Sequence, residues 1–135
     1  MGAVPKEDYV ALAAFRKTLR RFIRFAEEGA REAGLTPQQH QVLLAIRGQR
    51  DREWASVGDI ADSLQLKHHA TVGLVDRCAA VGLVERTTDP TDRRVVQVSL
   101  TPRGHEILDH LTTRNLRELR AIPTLVAHLN ALVDP

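Results

Sequence analysis

Residues 56–104 read SVGDIADSLQLKHHATVGLVDRCAAVGLVERTTDPTDRRVVQVSLTPRG, and a change of hydrophobic period inside this stretch decides the fold. Ser56 and Asp59 stand at the N-cap and N3 positions of a short helix whose Ile60, Ala61 and Leu64 face inward. The turn Gln65-Leu66-Lys67 leads to a second helix over about 68–81, closed by Gly82 at C′. At 100° per residue Thr71, Val75, Cys78 and Gly82 project to one side of it, and His69, Gly73, Asp76, Arg77 and Ala80 to the other. A short helix, a tight turn and a second helix with one apolar face have the form of a helix-turn-helix. The period then falls to two. Leu83-Val84-Glu85-Arg86-Thr87 reads as a strand, and Val96, Val98 and Leu100 alternate with polar or edge residues in another. Thr88-Asp89-Pro90-Thr91-Asp92-Arg93-Arg94 is the turn-rich tip between them.

Upstream, Thr36-Pro37-Gln38-Gln39 carries threonine at the N-cap, proline at N1 and glutamine at N3 of a helix buried through Val42, Leu43 and Ile46. The polar stretch Arg47 to Ala55 reads as a loop. Before it, residues 8–33 form a long amphipathic helix in which Leu12, Phe15, Leu19, Phe22 and Ala26 recur at three- and four-residue steps, ended by Gly34. All three phenylalanines, Phe15, Phe22 and Phe25, lie in this helix, a concentration that expects a covering partner. Downstream, Thr101-Pro102 caps a fifth helix with Ile107, Leu108, Leu111, Leu116 and Leu119 apolar. Pro123 breaks it before a last helix bearing Leu125, Leu129 and Leu132. The expected class is mainly α with a small β-hairpin: one domain over 1–135, with a lobe at about 36–102 flanked by helices at about 8–33 and 103–133.

Composition sets outer bounds. The chain has 135 residues, 43% of them hydrophobic, enough for one real core. No run of about 18 apolar residues suggests a membrane span, and Met1 to Tyr9 lacks the apolar stretch of a signal peptide. A lone Cys78 suits a reducing cytosol. The net charge of +2 does not by itself announce a polyanionic partner, so the placement of cations must carry the argument.

Placement singles out two features. A mid-helix glycine such as Gly73 costs about 1 kcal/mol relative to alanine; with Ala70 and Ala80 it would let the helix lie close to base edges, with His69 and Arg77 reaching outward. That face alone equally suits a bare solvated surface. Arg93 and Arg94 close a short polar loop whose Asp92 can hold a guanidinium in one rotamer, and arginine at a hairpin tip can enter a minor groove. An isolated Asp-x-Arg, however, is usually a surface ion pair worth about 0–1 kcal/mol.

The order of parts is more specific than any part. Leu35-Thr36-Pro37-Gln38-Gln39, Val75-Asp76-Arg77, Gly82-Leu83-Val84-Glu85-Arg86, Asp92-Arg93-Arg94 and Leu100-Thr101-Pro102-Arg103-Gly104, in this order and spacing, resemble the MarR family of winged helix-turn-helix regulators. The resemblance is carried by residues 35–104 and extends over nearly the whole chain. It implies a cytoplasmic, non-enzymatic regulator of transcription, commonly a repressor, that binds double-stranded DNA as a homodimer and needs no cofactor. It implies that His68, His69, Gly73 and Arg77 enter a major groove, that Arg94 is the wing arginine oriented by Asp92, and that Arg93 neighbours a phosphate. Arg86 would support the wing or touch the DNA backbone. Dimerisation through the terminal helices would engage Leu12, Phe15, Leu19, Phe22, Leu125 and Leu129. Members often respond to small aromatic or phenolic ligands in the crevice between the dimer layer and the DNA-binding lobe. The chain departs from the pattern at His69, Gly73 and Cys78, so operator bases do not transfer.

Other groups have plainer readings. Cys78 faces the core and packs as a small hydrophobe. The histidines His40, His68, His69, His105, His110 and His128 form no tight ligand motif, and no metal site is assigned. Trp54 reads as a packing anchor, and Asp59 and Asp62 as helix charges without a nucleophile or base beside them. The rival class is a winged-helix module that binds protein and has lost its DNA affinity; Arg77, Arg86, Arg93 and Arg94 together argue against it.

Overall fold

Three of the helices begin where their first free N–H groups find side-chain acceptors. The computed structural model describes residues 2–134. Its elements are α1 (Lys6–Glu32), α2 (Pro37–Arg47), β1 (Trp54–Ala55), α3 (Val57–Leu64), α4 (His68–Ala80), β2 (Val84–Thr88), β3 (Val96–Leu100), α5 (Pro102–Arg120) and α6 (Leu125–Val133). At α2, Thr36 Oγ1 accepts from Gln39 N at 3.1 Å while Gln39 Oε1 accepts from Thr36 N at 2.9 Å. Ser56 and Asp59 repeat the reciprocal box at α3, at 3.0 and 2.9 Å. Thr101 Oγ1 accepts from Gly104 N at 3.0 Å at α5. Such caps stabilise a helix start by about 1 kcal/mol each.

The turn from α3 to α4 is set by Gln65, whose φ of 56° is the one left-handed non-glycine backbone among the described residues. It lets Leu66 N donate to Ala61 O at 2.9 Å and swings the chain straight into α4. At the far end of α4, Gly82 takes φ 76°, a conformation other residues adopt at a cost. That corner is clasped by the start of α5. Thr101 Oγ1 donates to Gly82 O at 2.6 Å, Thr101 N donates to Leu83 O at 3.1 Å, and Arg103 donates to Val81 O. Gly104 lies so close to Leu83 that a Cβ there would run into its carbonyl oxygen. Leu100-Thr101-Pro102-Arg103-Gly104 is therefore a joint between wing and helix.

The sheet is antiparallel in the order β1-β3-β2, with Val84 opposite Leu100 and Thr88 opposite Val96. Here the sequence reading needs a correction. Arg47 to Ala55 is not wholly a loop, because Trp54 and Ala55 pair with Ser99 and Val98 as a third strand. Two residues are too few to show a period of two, and only the neighbouring edge of β3 makes them a strand. Val98 and Leu100 face inward while Val96 stays exposed. Leu43 and Ile46 of α2, Val75 of α4, Leu83 before β2 and Leu108 and Leu111 of α5 lie fully enclosed in the core. Burying each such side chain contributes about 1.5–3 kcal/mol. Leu74, which the sequence reading left unassigned, also belongs to this core.

The terminal helices are different. α6 and α5 pack along α1, yet α1 buries only Gly29 and Ala30, and α6 buries none of its residues. Gly29 gives passage to Arg114, whose Nη1 donates to Phe25 O at 2.8 Å with the guanidinium 3.7 Å from the Phe25 ring centre. No helix among the described residues is long and apolar enough to cross a membrane.

Candidate nucleic-acid interface

The apolar and polar sides of α4 separate as the 3.6-residue period requires. Thr71, Leu74, Val75 and Cys78 are buried, whereas His68, His69, Val72, Asp76 and Arg77 are exposed. Thr71 is satisfied by donating its hydroxyl to Lys67 O at 2.9 Å. Gly73 is half-exposed, and a Cβ added there would meet only the side chain of Arg77, at an ordinary 3.5 Å. Packing within the chain therefore gives no reason for the glycine. What it provides is a shallow place on the outward face, beside the Arg77 guanidinium.

The wing is ordered by its own carboxylates. Asp89 Oδ1 accepts from Thr91 N at 2.8 Å, Thr91 Oγ1 at 2.7 Å and Asp92 N at 3.3 Å, folding the tip. Asp92 holds Arg94 through both backbone and guanidinium. The bonds that tie Thr91 to Asp89, and those from Arg94 to Asp92, hold both carboxyls below the ordinary carboxylate range. Arg93 is exposed at the same tip.

The wing does not fold away from α4. Arg86 on β2 is ion-paired to Asp76 on α4, a bond that ties wing to helix. Farther out, His68 and Val72 of α4, Arg86 and Arg94 of the wing, and the Ser56–Gly58 start of α3 line one open cleft of about 460 Å³. Of the residues singled out from sequence, His68, Arg86 and Arg94 thus converge there. Asp92 reaches the cleft through Arg94. His69, Gly73, Arg77 and Arg93 lie outside it, the first three on the exposed side of α4 and the last at the tip. Val72 and the start of α3 were not picked out from sequence. An apolar residue four positions after His68 on an outward face was the available signal, and its methyls are of a kind that meets thymine methyl groups.

The residues expected at a dimer contact divide. Leu12, Leu19 and Leu129 are exposed, while Phe15, Phe22 and Leu125 are half-buried within the chain itself. Phe22 lines a cavity of about 280 Å³ between α1, α2 and α5. Cys78 is fully enclosed, and burial pushes its thiol up to about 11, so it stays protonated and unreactive near neutrality. Trp54 is half-buried with the Arg52 guanidinium 4.3 Å above its ring, and Arg52 also pairs with Asp59 at 2.6 Å. Among the described residues no group of three or more His, Cys, Asp or Glu side chains is placed to hold a metal ion.

Two helices joined at Gln65, an outward helix face and a wing tied to it define a winged helix-turn-helix protein. Comparison with known proteins agrees. The family model described as "MarR family" matches residues 33–95. The uncharacterized HTH-type transcriptional regulator YsmB of Bacillus subtilis (strain 168) is 31% identical over 113 residues, covering 81% of this chain and 75% of YsmB. The chain belongs to the MarR family of transcriptional regulators. It is also similar to the HTH-type transcriptional repressor MdtR of the same organism, at 32% identity over 57% of this chain and 48% of MdtR. Among solved structures, CouR from Rhodococcus jostii RHA1 bound to p-coumaroyl-CoA superposes with a TM-score of 0.70 at 25% identity, covering 90% of each chain.

Proposed function

We propose that this protein is a cytoplasmic, ligand-responsive repressor that binds a pseudo-palindromic operator as a homodimer. Each protomer lays α4 in a major groove, with His68, His69, Gly73 and Arg77 toward the bases. The wing tip goes into the adjacent minor groove, with Arg94 aligned by Asp92 and Arg93 beside a phosphate. The observation that carries the reading is the cleft in which His68, Arg86 and Arg94 meet between helix and wing. Two wing arginines and an imidazole of α4 facing one space suit a DNA backbone that passes between helix and wing.

Dimerisation is supported by the exposed apolar residues Leu12 and Leu19 on α1 and Leu129 on α6, which leave an uncovered face on the terminal helices. Phe15, Phe22 and Leu125 on the same two helices are half-buried. Two-fold symmetry then sets half-sites about one DNA turn apart, roughly 34 Å. Occupation of the site would block a promoter, the mode that the name of MdtR suggests for that relative. A small aromatic ligand in the cavity between α1, α2 and α5 would bias the protein toward a half-site spacing that fits DNA poorly. The p-coumaroyl-CoA in the CouR structure supports a small-molecule effector.

A mobility-shift titration on the DNA upstream of the protein's own gene tests the reading. Specific, strongly salt-dependent binding by a dimer is expected, because phosphate contacts release counterions. Absence of any specific shift at moderate salt would favour the protein-binding alternative.

A further inference from the structure

Val72 is apolar on the side of α4 that is otherwise polar. In the central lobe the exposed large hydrophobic residues are Leu44, Val72, Val81 and Val96. Leu44 borders the cavity between α1, α2 and α5, and Val81 is the C-cap of α4. Val72 and Val96 both border the cleft between helix and wing. Val72 is 37% exposed there. It stands in the outward line His68, Val72, Asp76, one helical turn from each.

Its neighbours bear on what it can touch. Gly73 has no Cβ and meets only the Arg77 side chain, so the helix surface beside Val72 is low and open to a flat partner. Asp76, one turn on, is engaged by Arg86, which leaves Val72 between an imidazole and a neutralised carboxylate. A β-branched side chain in a helix has one strongly preferred χ1. The methyls of Val72 are therefore fixed before a partner arrives and lose little freedom on contact.

The major groove offers such a side chain one complementary group. Guanine presents N7 and O6, adenine N7 and an amino group, and cytosine an amino group. A valine set against any of these displaces water and returns no hydrogen bond. Thymine alone presents a methyl group. We propose that Val72 packs on the C5-methyl of a thymine in each operator half-site, and so fixes an A·T pair and its orientation at that step. This rests on the reading above that α4 lies in a major groove, and it names a base that the groove must contain.

The full-length protein first selects its site from a pool of randomised duplexes. Each thymine of the half-site is then replaced in turn by deoxyuridine, in both half-sites together. Deoxyuridine pairs identically and lacks only the methyl group. Affinity should fall about tenfold at one position, from two half-sites each losing roughly three- to fourfold, and change little at the others. In Val72→Ala the ratio of thymine to deoxyuridine affinity at that position should fall to near unity. A merely structural role for Val72 would weaken both duplexes alike, keep the ratio and overturn the assignment. Should Val72→Ala not fold, Val72→Thr, which keeps the branch but exchanges one methyl for a hydroxyl, carries the same comparison. A selected half-site without a fixed thymine, or an unaltered chain indifferent to every methyl, overturns the proposal and leaves specific DNA binding standing. Failure to select any site overturns the reading beneath it, and the proposal with it.

Discussion

Asp92 grips Arg94 at three points: it accepts from the Arg94 backbone N–H at 3.1 Å, from Nε at 3.1 Å and from Nη2 at 3.2 Å. The Arg94 side chain nonetheless remains 91% exposed. An aligned but exposed guanidinium has given up rotamer freedom with almost no burial in return, which makes sense if its partner is another molecule. Arg94→Ala is expected to weaken operator binding about ten- to a hundredfold and to change stability by no more than about 0.5 kcal/mol. Asp92→Ala should weaken binding less, because the cation survives but loses its alignment. Fluorescence anisotropy beside a thermal melt reads both. A large fall in melting temperature for Arg94→Ala would make it a structural residue.

Gly73 gives a prediction in which stability and function part. Its neighbours leave room for a methyl group, so Gly73→Ala should stabilise the fold by about 1 kcal/mol. The same methyl would stand between α4 and the bases, and operator affinity should fall. Unchanged affinity in the more stable variant would mean that α4 never approaches DNA at this position.

The pair of Arg86 and Asp76 links wing to helix on a partly exposed surface. Asp76→Ala should therefore cost no more than about 1 kcal/mol of stability while lowering DNA affinity through a less fixed wing. In a double-mutant cycle with Arg86→Ala the two effects on affinity should be non-additive. Simple additivity would show that Arg86 acts alone, as a phosphate contact.

His40 makes stability depend on pH in a definite direction. Burial lowers its pKa below the ordinary 6.5, so the unfolded chain takes up the proton more readily than the folded one. The stability contributed by the neutral ring is present above pH 6.5 and is lost as the pH falls through and below that value. Denaturant melts of the wild type and of His40→Gln should converge on acidification to about pH 5. Parallel curves would place the acid sensitivity elsewhere.

Leu12 and Leu19, exposed at 48% and 43%, are cleaner probes of the proposed dimer than Phe22, which also lines the cavity of its own chain. Leu12→Glu with Leu19→Glu should yield a folded monomer in sedimentation, with helical content retained. A wild-type dimer from that variant would move the interface away from this face of α1.

Much of this architecture is readable from local chemistry. Thr36 with Gln39, Ser56 with Asp59, and Thr101 before Pro102 mark helix starts because a cap needs only residues within one turn of each other. The alternation through Val96, Val98 and Leu100 marks a strand because one face of the sheet is buried. The Asp92–Arg94 clamp is legible for the same reason, since its partners lie two residues apart. The pairing of Trp54 and Ala55 with β3 was not legible, because a two-residue strand exists only through its neighbour.

What the chain order determines by itself, then, is every contact closed within a few residues: the caps, the turn at Gln65, the wing tip, and which side of α4 is apolar. What tertiary packing alone decides is whether distant residues come to face one another. Asp76 and Arg86 are ten positions apart on different elements, and Asn115 and His40 reach one cavity from separate helices. Their meeting depends on how the core sets the angles between α2, α4, α5 and the sheet. No spacing along the chain encodes those angles, because they follow from the summed packing of side chains drawn from every element.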